Sequence, residues 1–159
     1  MIDKPQADPV SQKFNELLFD IYQLEKQLVK VYAKMEKLAF VDELRKCLSP
    51  VSTDSLKHLE RLELMKPSKG KASPIRPKAL PLKTPTLVQD LHIIALALEF
   101  QNQKLAIYEL LHPIASALDL QSETQLIEQT ITDHRNTNTW LRQIVQNIVV
   151  PKLLSESST

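Results

Sequence analysis

The feature that most constrains the fold is a row of apolar residues between positions 14 and 39. The row advances in alternating steps of four and three, which is the spacing of one helix face that packs against other helices. Its members are Phe14, Leu18, Ile21, Glu25, Leu28, Tyr32, Met35 and Ala39. Only Glu25 is charged. A buried carboxylate is costly unless it is neutralised, paired or bound to a cation, so the sequence raises the question of what faces Glu25.

Composition removes several classes of protein. The 159 residues contain one glycine, Gly70, so the glycine-rich phosphate-binding loops and the GxSxG motif of α/β-hydrolases cannot occur. Cys47 is the only cysteine, which excludes an intrachain disulfide and CxxC sites. No stretch approaches 18 apolar residues and the N-terminus has no apolar signal-like region, so we expect a cytoplasmic protein with no membrane partner.

Four helical regions follow from the periodicity and from the proline positions. We predict helices over residues 11–39, 42–65, 86–119 and 122–150, with a break in the second at Pro50 because proline lacks an N–H and clashes with the preceding turn. Residues 1–11 are predicted to be a loose lead-in and 151–159 a frayed tail. Residues 12–150 would then form a single domain.

The segment 66–86 differs from the rest of the chain. It holds five prolines, five lysines, one arginine and no acidic residue. A connection this long lets the second and third helices run parallel, which predicts an all-α antiparallel four-helix bundle with one crossover. The basic part, 66–83, could contact nucleic acid, but it has no aromatic residue for base stacking and a solvated linker is the favoured interpretation.

Polar residues recur near the middle of all four predicted seams. They are Glu25, Asp54, His58, Gln101, Asp133 and His134. Such a buried layer is the arrangement of a metal site in a helix bundle. The alternative is that Glu25 is a buried acid paired with Gln101, His58 or a tyrosine hydroxyl, that the histidines are satisfied core groups, and that Gln101 closes a hydrogen-bond network.

Four stretches resemble one known family. FDIYQLEKQLVKVYAKM is similar to a D-x-Y-x-A-E-x-Q-L motif, and STDSLKHLERLE to L-E-E-T-x-x-x-x-E-R-L. LALEFQNQKLAIYELLHPIASALDL is similar to V-E-H-Y-E-I-A-x-Y, and ITDHRNTNTWL falls at an L-E-E-E-K-A-T-D segment. Over roughly residues 14–148 the chain thus resembles the ferritin-like family of unassigned function typified by the bacterial stress proteins YciE and YciF. The resemblance implies a ferritin-like bundle.

The departures from the family's motifs imply a degraded diiron site. Glu25 matches the first carboxylate, whereas Asp54 and Asp133 are shorter than the acids they replace. Gln101 and Lys104 stand where the third helix would carry acids. Another acid of the family's pattern is replaced by His134.

Three functions remain open from the sequence. The leading prediction is a non-enzymatic structural or stress-associated protein without a cofactor, acting as a homodimer or through a partner helix at Leu24, Val31 and Leu38. The alternative is an iron- or manganese-binding protein with a reduced site. Its ligands would be Glu25, Asp54, His58, Asp133 and His134, with Gln101 in the same layer. The third is association with nucleic acid through the basic segment.

Overall fold

The computed structural model describes residues 8–68 and 84–157, and all regular secondary structure in these residues is helical. The all-α class predicted from the sequence is confirmed. The helices are α1 (Pro9–Leu38), α2 (Asp42–Leu48), α3 (Ser55–Leu64), α4 (Leu87–Ala117), α5 (Gln121–Ile144) and α6 (Val150–Ser157), with a π-helical turn at Val145–Val149 between the last two.

The start of α1 is set by a cap that the sequence analysis assigned to the lead-in. The Asp8 carboxylate accepts hydrogen bonds from the backbone N–H groups of Val10, at 2.7 Å, and Ser11, at 3.3 Å. Pro9 occupies the first turn, where its missing N–H has no cost. The helix therefore begins two residues earlier than predicted, and the lead-in is correspondingly shorter. Residues 1–7 lie outside the described part of the chain.

The second helical region divides at the predicted break, but it resumes later than expected. The chain forms a turn after Ser49, and α3 begins only at Ser55. Asp54 adopts a left-handed backbone conformation, with φ 53°. That conformation interrupts the helical register between Asp54 and the residues that follow it.

Cross-helix contacts give the directions of the helices. Tyr22 donates a hydrogen bond to Glu63, and Glu25 faces His58. The contacts move backwards along α3 as they move forwards along α1, so these two helices are antiparallel. Glu25 also faces Lys104, and the backbone N–H of Val41, just after α1, donates a hydrogen bond to Asp90. By the same reasoning, α4 runs antiparallel to α1. Hence α3 and α4 are parallel to each other, as a crossover requires. The predicted crossover segment 66–86 falls largely on residues 69–83, which lie outside the described residues.

The predicted α1 seam is buried along its whole length. The surface proposed for a partner helix is not free, however. Leu24 is buried, and Val31 and Leu38 pack half-buried against the core. That part of the prediction is wrong because α1 is flanked by α2, α3 and α4, so its buried face is wider than one seam.

The last helix passes through Pro151 instead of ending before it. The π-helical turn at Val145–Val149 directly precedes α6, which continues to Ser157. A proline ring clashes with the carbonyl four residues earlier, and a widened turn is one way in which a helix accommodates this clash. The predicted frayed tail is therefore helical over the described residues.

Candidate functional site

Four helices bring one polar side chain each to the centre of the core. Glu25 comes from α1, His58 from α3, Lys104 from α4 and His134 from α5, and none is more than 3% exposed. Each lies within its helix, at the level where the four helices meet. The centre therefore combines one carboxylate, one ammonium group and two imidazoles inside an apolar core.

The closest contact of Glu25 is with Lys104. The lysine Nζ lies 2.9 Å from Glu25 Oε1, an approach that forms an ion pair without a well-directed hydrogen bond. Burial alone would raise the pKa of Glu25, but the adjacent Lys104 charge is the strongest opposing influence, and this pKa is held well below its usual range. The carboxylate is therefore ionised, and the chain supplies its counter-ion.

The hydrogen bond on the far side of His134 fixes its tautomer. Its Nδ1 lies 2.8 Å from the carbonyl oxygen of Thr130, which can only accept, so Nδ1 carries the proton. Burial, and then the Lys104 charge, lower the pKa of His134 to about 4, so the ring is neutral at pH 7. Its unprotonated Nε2 faces Glu25 Oε1 at 3.6 Å.

His58 is held in a comparable way by a carboxylate. Its Nε2 lies 3.1 Å from Asp133 Oδ2, and Arg61 Nη1 donates to the same oxygen at 2.8 Å. Partial burial would raise the pKa of Asp133, but the Arg61 and His58 contacts lower it, so the group is an ionised acceptor. With the Nε2 proton directed at Asp133, the His58 Nδ1 faces Glu25 Oε2 at 3.4 Å.

The ligand atoms of Glu25, His58 and His134 form the candidate metal-binding group. All three lie within 4.8 Å of one another. Glu25 Oε1, His58 Nδ1 and His134 Nε2 have no hydrogen-bond partner among the described residues, although such buried atoms are normally satisfied. One carboxylate and two imidazoles are a donor set that suits a borderline divalent cation, so these residues fit a metal ion chemically.

The other predicted site residues lie around this group. Gln101 is buried and donates from Nε2 to Tyr32 Oη at 3.0 Å, while its Oε1 has no hydrogen-bond partner among the described residues. Asp133 stands behind His58. Asp54 is not part of the group: its carboxylate is 34% exposed and lies 3.8 Å from Lys57 Nζ. Asp54 is the left-handed residue that precedes α3, so its side chain leaves the helix face that carries His58.

Two charged residues belong to the centre although the sequence analysis did not assign them to it. Lys104 was noted only as a lost acid, and Arg61 was not singled out. Both follow a predicted central residue by three positions, Gln101 and His58 respectively, and so share its helix face. That spacing was the available signal. Their roles could not be read from it, because lysine and arginine on a helix face are usually solvated.

Comparisons with known proteins agree with this all-helical architecture. Residues 81–154 match the family described as Domain of unknown function (DUF892). The Escherichia coli stress protein YciF has 22% identity, with a TM-score of 0.77, over 91% of this chain and 99% of that one. YcfI, a proposed structural protein from Rhodopseudomonas palustris, has 21% identity and a TM-score of 0.73, over 89% and 98% of the two chains. No curated protein matches.

These findings define the class of protein and support the predicted family. The class is an all-helical protein with the YciF-like fold and a buried carboxylate, lysine and histidine centre. The family predicted from the sequence, the YciE/YciF-type proteins of unassigned function, is supported: residues 81–154 match the family model, and the fold over most of the chain is similar to those of YciF and YcfI. Within residues 8–68 and 84–157, no helix is both long enough and apolar enough to cross a membrane.

Proposed function

We propose that this protein is a non-enzymatic structural or stress-associated protein of the ferritin-like four-helix type, in which an internal ion pair replaces a diiron centre. The observation that carries the proposal is the 2.9 Å contact between Lys104 Nζ and Glu25 Oε1 in the core. A buried carboxylate needs a positive partner, and here a side chain provides it. The similar proteins named as a stress protein and a proposed structural protein support the same assignment.

The donor set also argues against oxidase chemistry at two irons. Diiron sites in helix bundles use several carboxylates to bridge and neutralise the two cations. Here Glu25 is the only carboxylate in the central group, and Asp133 is engaged with Arg61 and His58. One central carboxylate beside a fixed ammonium group leaves too little negative charge for two metal ions.

The proposed working form is a cytoplasmic homodimer that binds neither membrane nor nucleic acid. Several large apolar side chains are exposed on the described surface and could be covered by a second copy. They include Val51, Leu56, Leu64 and Leu154. The basic segment 66–83 lies mostly outside the described residues, so its assignment as a solvated linker stays a prediction.

Metal content, oxygen consumption and molar mass of the purified full chain test this function. We expect far less than one metal ion per chain after exposure to iron(II), no oxygen consumption above the rate in buffer, and a dimer by light scattering. Stoichiometric iron together with oxygen uptake would overturn the non-enzymatic assignment. A monomer with no metal would overturn the self-association alone.

A second candidate function is the binding of one iron or manganese ion. It is favoured by the three inward-facing atoms of Glu25, His58 and His134, which have no hydrogen-bond partners among the described residues. These residues would hold the ion, and Asp133 would orient His58. An ion bound there would supply Lewis-acid or redox chemistry. Asp54 would join only if the turn before α3 rearranged.

The second candidate is tested by metal analysis of the wild type beside Glu25→Gln. This variant keeps the shape of the side chain and removes its charge. Equimolar metal in the wild type that is lost in Glu25→Gln would establish the site. Equal, negligible metal in both proteins would exclude it.

A further inference from the structure

The two histidines of the centre are already oriented as metal ligands are. Each directs its N–H away from the centre to an oxygen, Thr130 O for His134 and Asp133 Oδ2 for His58. Each consequently presents its other nitrogen to Glu25. Metal-bound histidines are commonly fixed in this way by an outer carboxylate or carbonyl, which sets the tautomer before the ion arrives.

The spacing of the three ligands is also suitable. His134 Nε2 lies 3.6 Å from Glu25 Oε1, and His58 Nδ1 lies 3.4 Å from Glu25 Oε2. Two donors on a tetrahedral ion, each about 2.1 Å from it, are separated by about 3.4 Å. The two histidine nitrogens thus lie near this distance from the Glu25 carboxylate, each facing a different oxygen, and the three ligand atoms lie within 4.8 Å of one another.

Lys104 is the element that conflicts with such an ion. Its Nζ contacts Glu25 Oε1, the same oxygen that faces His134. The lysine side chain is 4% exposed, so water screens its charge very little. A protonated amine cannot act as a ligand, and its repulsion of a divalent cation is strong in a low-dielectric core.

We propose that the charge of Lys104 prevents divalent cations from binding to a preorganised ligand set formed by Glu25, His58 and His134. Removing this one charge would then create a site for a single Zn²⁺ or Co²⁺ ion. The inference rests on the proposed function, in which the Lys104 ammonium group serves as the internal counter-ion. It goes further in that it assigns the exclusion of metal to one residue. Lys104 is thus a specificity-determining residue in a centre whose other members are arranged to bind a cation.

The experiment compares the full-length wild type with Lys104→Met and with the double variant Lys104→Met/Glu25→Gln. Co²⁺ is the first probe, because its visible absorption reports tetrahedral coordination, and Zn²⁺ affinity follows from competition with a chromophoric chelator. We expect Lys104→Met to bind one ion per chain at least about a hundredfold more tightly than the wild type. Metal should raise the thermal midpoint of this variant and not that of the double variant, which lacks the carboxylate.

Each outcome bears on a different statement. If folded Lys104→Met binds no more metal than the wild type, the inference is overturned while the proposed structural function stands. If the wild type itself binds one equivalent through Glu25, the inference is overturned because Lys104 then excludes nothing, and so is the counter-ion role that the proposed function gives to Lys104.

A folding failure of the variant also gives a result. Lys104→Gln retains an N–H donor for Glu25 and replaces Lys104→Met if the latter is unfolded. If neither folds alone, the readout becomes the recovery of the helical circular dichroism signal on refolding with Zn²⁺. Recovery supports the inference, and no recovery refutes it.

Discussion

Two buried carboxylates in this protein have different surroundings. Asp90, at the start of α4, accepts hydrogen bonds from the backbone N–H groups of Phe40 at 2.7 Å and Val41 at 2.9 Å. Both of its oxygens are used, and beside it Gln89 donates to the carbonyl oxygen of Leu38 at 2.9 Å. Glu25 instead faces an ammonium group and two imidazole nitrogens, none of them in a well-directed hydrogen bond.

The Asp90 carboxylate is stabilised by hydrogen bonds from backbone N–H groups, whereas the Glu25 carboxylate is stabilised by a neighbouring charge. Burial raises the pKa of Asp90 despite its two amide donors, whereas the pKa of Glu25 is held well below its usual range against a larger desolvation cost. Asp90 fastens the turn between α1 and α2 to α4 and needs no cation. Glu25 is retained in the core only because a positive group is next to it, which is why its partner decides what the centre can bind.

Removing the partner of Glu25 should produce the largest effect. Lys104→Met leaves an uncompensated buried carboxylate, and we expect it to lower the free energy of unfolding by about 3–5 kcal/mol at neutral pH without metal. Urea denaturation in the presence of a chelator measures this. Replacing both members, as in Glu25→Leu/Lys104→Met, should restore wild-type stability or exceed it. An unchanged midpoint for Lys104→Met would show that the ion pair does not form.

Removing Asp90 should have a somewhat smaller effect, through backbone groups. Asp90→Ala leaves the N–H groups of Phe40 and Val41 without acceptors and should cost about 2–4 kcal/mol in the same urea assay. Asp90→Asn keeps one acceptor oxygen and should lose about half as much. If Asp90→Asn and Asp90→Ala are equally destabilised, charge rather than backbone capping is what Asp90 supplies.

Acid should lower the free energy of unfolding, and the pKa of His134 predicts how steeply it falls with pH. The pKa of His134 is about 4 in the folded protein and 6.5 in the reference state, so the unfolded chain binds more protons between these values. Stability therefore falls as the pH drops from 6.5 towards 4, by about 1.4 kcal/mol per pH unit. The lowered pKa of Glu25 acts in the same direction below about 4.5, whereas the raised pKa of Asp90 opposes it.

The variant His134→Gln isolates this slope, because glutamine does not titrate. Urea midpoints measured at intervals between pH 4.5 and 7 should then depend less on pH than those of the wild type. Parallel curves for the two proteins would show that His134 is not the group responsible.

An exposed ion pair of similar length should matter least. Arg135 Nη2 lies 3.1 Å from Glu109 Oε1, but the two side chains are 66% and 49% exposed. Arg135→Ala should change stability by no more than about 0.5 kcal/mol, because water already solvates both charges. A loss approaching that of Lys104→Met would mean that burial is not what distinguishes the two pairs.

The sequence was sufficient for the features that depend on one helix at a time. The α1 row from Phe14 to Ala39 predicted a helix and its buried face, because helical periodicity is a local property. The same reasoning placed Glu25, His58 and His134 near the middle of their helices. The family resemblance also implied a YciF-like, all-helical fold, and the comparisons confirm that coarser statement.

Only the tertiary structure decided which of these groups meet. The contact between Lys104 and Glu25 depends on the axial register of α4 against α1, which the packing of the entire core sets. Asp54 lies outside the centre because its left-handed backbone delays the start of α3. The last helix continues through Pro151 because a π-helical turn precedes it. The sequence by itself determined that a carboxylate would be buried among histidines; the packing determined that its cation is a lysine.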